Sequence, residues 1–265
     1  MGDVETVTVN SSAPKYSEYT SDNWLLSIKE SHILRSGGQE RKDFEDKLDL
    51  PSLPEMIFDV NEVRVVYTSE NMTESSTICF NALDALKLVD CTKIPMELPF
   101  AKDWKESRSD LEGEVVDKPK PYDWTFTTSF TGTLSGPWTV SDSTGGLDME
   151  LLRRRDPILF YADTTLYEDE LGDNGISMLN VKVRAMKTGF FLLQRFFLRV
   201  DGGLVRTYDT RIQWRKGDEY LIRDIRRAET STWRPQMVGV CLPDADQVCD
   251  RLLEHRSERL TPGVR

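Results

Sequence analysis

The stretch from Ile158 to Ile225 constrains the fold most, because apolar-rich segments follow one another there with only short turns between them. Those segments read ILFYADTTLYEDEL, ISMLNVKVRAM, FFLLQRFFLRV, LVRTYDTRIQW and EYLIRDI. The second alternates apolar and polar residues with a period of two, and the third is apolar on both faces, as in a covered central strand. Glycine-containing turns follow the third and fourth segments. The pattern predicts an antiparallel meander at the structural centre.

Shorter elements are predicted on either side of the meander. Strand-like runs occur at 23–34, 63–69 and 124–134, the last with a clean period of two. Short helices are expected at 43–50, at 148–155, at 244–255 and directly after Asn81, whose side chain is placed to cap a helix with Asp84 in its first turn. The sequence therefore predicts an α+β fold, with meander-rich, sandwich-like antiparallel β-sheets flanked by short helices.

The two ends of the chain differ in composition from the rest. Residues 1–20 are polar and lack periodicity, so they are expected to form a disordered arm that cannot offset the entropy of ordering. Residues 257–265 are expected to be a flexible tail. A single domain is predicted between them, over residues 21–256.

The charge balance bears on the possible partners. The formal net charge is −11, from 34 Lys and Arg against 45 Asp and Glu. A nucleic-acid backbone is therefore a poor partner, and the run Arg153, Arg154, Arg155 is interpreted as a solvated helix end. No apolar run approaches the roughly 20 residues that a spanning helix needs, and the start lacks the features of a signal peptide. We expect a cytoplasmic location, with the nucleus as a second location, and no membrane partner.

The residues that usually supply catalytic groups lack the context of a known motif. His32 and His255 are the two histidines, and neither lies in a nucleophile motif; no phosphate-binding glycine loop occurs, and the four cysteines lack metal-ligand spacing. The acidic cluster Glu168, Asp169, Glu170 and Asp173 leaves one alternative open: a metal-dependent enzyme that uses these carboxylates to bind a divalent metal or for acid–base catalysis. We expect no enzymatic activity, no cofactor and no metal.

Arginines in the predicted meander permit two interpretations. Arg195, Arg199, Arg206 and Arg211 would need carboxylate partners, such as Asp201 or Asp209, wherever they are buried. One interpretation is a structural ion-pair network. The other is a basic groove that accepts an anionic peptide terminus.

Several longer strings resemble one known family. They are LPEMIF, FNALDALK, KPYDWTFTT, ILFYADTTLYEDELGDNGISMLNVKVRAM and RFFLRVDGGLVRTYDTRI, and they occur in the family's order between Trp24 and Arg226. Together they are similar to the TOR signalling pathway regulator-like (TIPRL) family.

The resemblance implies a non-catalytic regulator of type 2A family serine/threonine protein phosphatases. It implies binding to the catalytic subunits of type 2A, 4 and 6 phosphatases, and a link to TOR signalling through the alpha4/Tap phosphatase-associated protein. In that family a cleft receives the C-terminal tail of the phosphatase, and the matching positions here are Asp84, Leu147, Thr207 and Asp209. Arg211, in the same string as Asp209, completes the predicted binding set. The resemblance does not decide whether binding inhibits, stores or protects the phosphatase.

One further class remains open from the sequence. A β-rich chain without catalytic motifs is also compatible with an adaptor that binds an unrelated acidic or proline-rich ligand. A phosphatase tail peptide would not compete with such a ligand, so competition distinguishes the two functions.

Overall fold

Two antiparallel sheets enclose a shared apolar core in the computed structural model of the chain. The structure describes residues 13–48, 50, 52–69, 73–89, 96–98, 101–107, 120–122, 129–201, 204–230 and 252–263. In the described residues the strands are β1 (Lys15–Ser21), β2 (Trp24–Glu30), β3 (Met56–Ile57), β4 (Glu62–Tyr67), β5 (Ser76–Asn81), β6 (Met96–Leu98), β7 (Lys120–Tyr122), β8 (Thr133–Ser135), β9 (Trp138–Asp142), β10 (Phe160–Asp169), β11 (Gly175–Met186), β12 (Gly189–Val200), β13 (Leu204–Arg215), β14 (Leu221–Thr230) and β15 (Leu252–Pro262). The helices are α1 (Gln39–Glu45), α2 (Ala82–Leu86), α3 (Lys102–Ser107) and α4 (Met149–Arg153).

The larger sheet has eight strands in the order β3-β10-β11-β12-β13-β14-β15-β9. Its centre is the predicted meander: β10 to β14 follow one another in sequence, and each pairs antiparallel with the next. The smaller sheet has five strands in the order β1-β2-β4-β5-β8, and β6 pairs with β7 separately. The α+β prediction with sandwich-like antiparallel sheets is confirmed.

The core lies between the two sheets because each presents an apolar face to the other. Trp24 of β2 contacts Tyr67 in its own sheet and Phe190, Trp214 and Trp138 in the larger sheet, with ring centroids 4.8 to 6.4 Å apart. Burial of such side chains is the main driving force for stacking two sheets, at about 25 cal/mol per Å² of apolar surface.

The eight-stranded sheet has a second face, turned away from this core, which we call the outer face. On β13, Ile212 and Trp214 belong to the core. Since successive side chains of a strand point to opposite sides, Thr207, Asp209, Arg211 and Gln213 point to the outer face. Cross-strand neighbours share a face, so Arg195 of β12, paired with Asp209, also lies there.

The chain ends differ from the predictions. Lys15–Ser21 form β1, which pairs with β2 along its whole length, so a disordered arm over 1–20 is wrong for these residues; residues 1–12 lie outside the described part. At the other end, β15 runs to Pro262 where a helix and then a flexible tail over 257–265 were predicted. Pairing with β14 and β9 buries Glu258 and Leu260, and these tertiary contacts override the local helical spacing.

The shorter local elements agree with the sequence in part. Asn81 caps α2 and α4 lies within 148–155, as expected, whereas the first predicted helix begins earlier, at Gln39. Of the predicted strand at 124–134, residues 124–128 lie outside the described part; residues 129–132 are not in a strand, and β8 begins at Thr133. Within the described part of the chain, no helix has the length and apolar character required to cross a membrane.

Candidate functional site

Asp209 is the centre of an ion-pair cluster on the outer face. Arg195 donates from Nε to Asp209 Oδ1 at 2.7 Å and from Nη2 to Oδ2 at 2.9 Å. Arg211 donates from Nη2 to Oδ2 at 2.7 Å and from Nε to the same oxygen at 3.1 Å. The Asp209 side chain is completely buried, while the Arg195 and Arg211 side chains are 18% and 14% exposed. The carboxylate therefore holds two guanidinium groups in fixed orientations at the surface.

A second buried carboxylate extends the cluster toward β15. Asp224 of β14 lies opposite Arg211 and is buried. Its Oδ2 accepts from Arg226 Nη2 at 3.3 Å and lies 3.5 Å from His255 Nε2. Among the described residues, its Oδ1 has no hydrogen-bond partner. With Asp209 these residues form a charged belt across β12 to β15, in which arginines outnumber aspartates.

Each of the four meander arginines has a carboxylate partner in the structure. Arg195 and Arg211 pair with Asp209, Arg199 lies 3.0 Å from Asp201, and Arg206 lies 2.8 Å from Glu229. The structural ion-pair network is confirmed. The outer-face pair still presents positive edges to solvent, because both of its guanidinium groups keep some exposed surface.

Leu147 lies in a loop that packs on the outer face. Its neighbour Asp148 donates its backbone N–H to Gln213 Oε1 at 2.7 Å and accepts from Gln213 Nε2 at its carbonyl oxygen at 3.3 Å. Asp148 also caps α4, since its Oδ1 accepts from the Leu151 N–H at 2.9 Å. These bonds place Leu147 next to β13, with only 8% of the residue exposed.

A cleft of about 570 Å³ opens beside this loop. Residues 141–146 form one wall, and the side chains of Gln213, Arg215 and Tyr220 on the β13–β14 hairpin line the other. The Arg259 guanidinium lies over the Tyr220 ring, 4.2 Å from its centroid. Arg215 lies 2.8 Å from Asp218 and 3.6 Å from Asp148, so the cleft carries both charge signs.

Thr207 occupies the opposite end of the same β13 face. It is 1% exposed and lies across from Phe197 and Ala228 in the sheet. Its hydroxyl has no hydrogen-bond partner among the described residues. Burial leaves Thr207 no surface to offer a partner directly, so its effect on binding would pass through its neighbours on the sheet.

Asp84 lies in the first turn of α2, which directly follows β5 of the smaller sheet. Its backbone N–H donates to Asn81 Oδ1 at 2.8 Å, and its Oδ2 accepts from Asn81 Nδ2 at 3.0 Å and from Thr133 Oγ1 at 2.6 Å. These contacts join the start of α2 to β8. The structure thus places Leu147, Thr207, Asp209 and Arg211 on one face and gives Asp84 contacts within the five-stranded sheet.

Sequence reasoning missed Asp224 and Gln213. Both lie on the outer face beside predicted site residues: Asp224 is opposite Arg211, and Gln213 holds the Leu147 loop. The period of two would have shown that Gln213 shares a face with Asp209. The pairing of Asp224 with Arg211 required the register between β13 and β14, which local sequence does not specify.

In the acidic cluster at 168–170, Asp169 has a structural role. Asp169 is fully buried, and its two oxygens accept from the backbone N–H groups of Glu55 at 3.0 Å and Leu171 at 2.7 Å. Within the described ranges, no group of three or more His, Cys, Asp or Glu side chains is arranged to hold a metal ion. These bonds close the turn between β10 and β11 and tie it to the segment before β3.

Comparison with known proteins identifies the family. The sequence model of the TIP41-like family matches residues 56–234, more than half of the 265 residues. The chain belongs to the TIP41-like family. The match covers every predicted binding residue, from Asp84 to Arg211.

Individual members of the TIP41-like family align over most of the chain. The TIP41-like protein of Rattus norvegicus is 36% identical over 264 residues, covering 94% of this chain and 93% of the relative. The Homo sapiens TIP41-like protein is 37% identical over 256 residues, covering 91% and 90%. The Saccharomyces cerevisiae protein named type 2A phosphatase activator TIP41 is 40% identical over 224 residues, covering 78% of this chain and 61% of that protein.

Proposed function

We propose that this chain is a non-catalytic regulator that binds the catalytic subunit of type 2A family serine/threonine protein phosphatases. The observation that carries the proposal is the 40% identity to a relative named as a type 2A phosphatase activator. The grouping of four predicted binding residues on one sheet face is consistent with it.

The outer face offers a chemically suitable surface for a phosphatase tail. Asp209 is too buried to accept a hydrogen bond from a partner, and both of its oxygens are already bonded. We assign it the role of orienting Arg195 and Arg211, whose exposed edges would donate to carboxylate or carbonyl oxygens of the tail.

The Leu147 loop would form the apolar side of the tail site. A leucine that goes from exposed to fully buried contributes about 1.5–3 kcal/mol. Only 8% of Leu147 is exposed in the free chain. The free energy that it gains directly on binding would therefore be far smaller. Its main role would be to shape the wall of the neighbouring cleft, in which the tail's extended backbone would lie.

The wider partners follow from the family resemblance. We propose the catalytic subunits of type 2A, 4 and 6 phosphatases as partners, and the alpha4/Tap phosphatase-associated protein as a second kind of partner. TOR signalling is the proposed pathway. The relative's name specifies activation. This chain could instead inhibit the phosphatase. Measuring phosphatase activity at increasing concentrations of this chain distinguishes activation from inhibition.

Calorimetric titration with the isolated catalytic subunit, with and without its C-terminal tail, tests the proposal. We expect saturable binding that weakens at least about tenfold when the tail is removed. Arg211→Ala should weaken binding to the intact subunit by a similar factor, because it removes one of the two oriented guanidinium groups.

Arg206→Ala is the matched control. Arg206 lies on the same strand, also pairs with a carboxylate, and by strand alternation points to the opposite face. It should change affinity less than about twofold. Equal losses of affinity in Arg206→Ala and Arg211→Ala would contradict the placement of the tail site on the outer face. Absence of binding to the catalytic subunit would overturn the phosphatase proposal and favour an adaptor for another ligand.

Asp84→Asn tests the remaining predicted residue. The amide oxygen still accepts from Thr133 but the negative charge is lost, so the fold should be kept. A weaker affinity with unchanged unfolding free energy would assign Asp84 to the binding surface. An unchanged affinity would assign it to the α2–β8 junction alone.

A further inference from the structure

The strand β10 has an open edge along half of its length. On one side it pairs with β11 from Phe160 to Asp169. On the other side β3 pairs with Tyr167 and Glu168 only, and Asn61 Nδ2 donates to the Thr165 carbonyl oxygen at 2.8 Å. Among the described residues, 160–164 therefore have no strand neighbour on that side. Unpaired backbone groups of this kind are a template for an added strand.

Large apolar side chains are exposed where this edge begins. Ile158, Leu159 and Tyr161 are 55%, 49% and 57% exposed. Phe160, in contrast, stacks on Tyr19 with 5.8 Å between ring centroids, so the strand itself is anchored to the core. Leu159 and Tyr161 are two positions apart and Ile158 directly precedes them, so exposed apolar side chains are concentrated at this end of the edge.

A basic patch adjoins the apolar residues. Arg153 and Arg155 are exposed, and no carboxylate of the described residues lies within ion-pair distance of them. Arg154, between them, pairs with Asp156 at 3.2 Å. The patch is held next to β10 because Arg184, opposite Tyr161 on β11, donates from Nη2 to the Leu152 carbonyl oxygen at 3.0 Å.

The carboxylates near this surface do not cancel its charge. Asp163 forms an ion pair with Lys182 at 2.9 Å. Asp156 forms an ion pair with Arg154 at 3.2 Å and accepts a hydrogen bond from the Thr188 hydroxyl at 3.2 Å. Glu150 is exposed one helical turn before the arginines. A local excess of positive charge therefore stands out on a chain with net charge −11, and it complements an acidic ligand.

We propose that the edge of β10, together with Arg153, Arg155, Ile158, Leu159 and Tyr161, docks an extended segment of a partner protein rich in acidic and β-branched residues. The segment adds as a strand to residues 160–164, its apolar side chains cover Leu159 and Tyr161, and its carboxylates face Arg153 and Arg155. A peptide is favoured over an anionic membrane because only a peptide backbone satisfies the open strand edge. The proposal is independent of the phosphatase assignment.

The test uses the full chain and a fluorescein-labelled synthetic peptide that alternates glutamate and valine. Anisotropy titration should show saturable binding, and Arg153→Glu/Arg155→Glu should weaken it at least about tenfold. The control Arg35→Glu/Lys47→Glu makes the same charge change at exposed positions elsewhere and should leave affinity within about twofold. Hydrogen exchange should slow at residues 160–164 when the peptide is bound.

A second peptide separates strand addition from simple charge attraction. Methylation of alternate backbone nitrogens removes the donors on one edge of the peptide but keeps its charge, so it should abolish the exchange protection and most of the affinity. Four outcomes would overturn the proposal: no binding of the unmodified peptide, equal binding of the methylated one, equal loss in both double variants, or binding of anionic phospholipid vesicles in place of the peptide. Self-association of the chain through this edge, detected by sedimentation, would instead assign it to a second copy.

Discussion

Arg195 and Asp209 face each other across β12 and β13 and share two parallel hydrogen bonds of 2.7 and 2.9 Å. This two-point geometry fixes the plane of the guanidinium group, which a single bond would leave free to rotate. Arg211 uses the remaining capacity of the same carboxylate. One buried aspartate thereby determines the position of two basic groups on the outer face.

Asp209→Asn should destabilise the fold by about 3 kcal/mol, because it leaves two largely buried guanidinium groups without their counter-ion. The free energy of unfolding in urea is the measurement. Asp201→Asn is the control: Asp201 also pairs with an arginine, but its side chain is 57% exposed, so the cost should stay below about 1 kcal/mol. Similar costs for the two variants would contradict the assigned role of Asp209.

Trp24→Ala should be among the most damaging core substitutions, with a loss of about 3–5 kcal/mol. The indole is 2% exposed and contacts aromatic rings of both sheets, so its removal opens a cavity at their interface. Thermal unfolding with circular dichroism measures the loss. Tyr16→Ala, on the neighbouring strand and 63% exposed, should shift the stability by less than about 0.5 kcal/mol.

A chain that ends after Arg256 should lose at least about 3 kcal/mol of stability. The deletion removes the buried Leu260 and also Glu258, which lies 2.6 Å from Arg223 and leaves that buried arginine unpaired. It also removes the residues of β15 that pair with β9. A chain that ends after Gly263 serves as control and should unfold like the full chain. Unchanged stability of the shorter chain would restore the flexible-tail interpretation.

Cys79 should react slowly with thiol reagents in the folded chain. Burial, its largest cause, raises the pKa of this thiol from 9.0 to about 12; a hydrogen bond from Asn81 opposes the rise and Glu62 adds to it. At pH 8 the thiolate fraction is then about one in 10,000. A variant with Cys91, Cys241 and Cys249 replaced by serine isolates the signal, and the same variant in urea should react much faster.

The same pKa shift has a consequence for stability. The unfolded thiol ionises near pH 9, whereas the folded thiol stays neutral up to about pH 12. The unfolded state therefore loses its proton first, and the contribution of Cys79 to the unfolding free energy declines from about pH 9 to pH 12. Cys79→Ala should flatten the stability profile in that window. An equal slope with and without the thiol would contradict the assigned shift.

The sequence determined the meander, the cap of α2 and the family, because each depends on local periodicity or on contiguous strings. It did not determine that Lys15–Ser21 and Leu252–Pro262 are strands, since their hydrogen bonds come from β2 and from β14 and β9. It named Asp209 and Arg195 but not their joint geometry with Arg211, and it missed Asp224. Strand register and long-range pairing decide which polar side chains meet on one face, and only the tertiary structure supplies them.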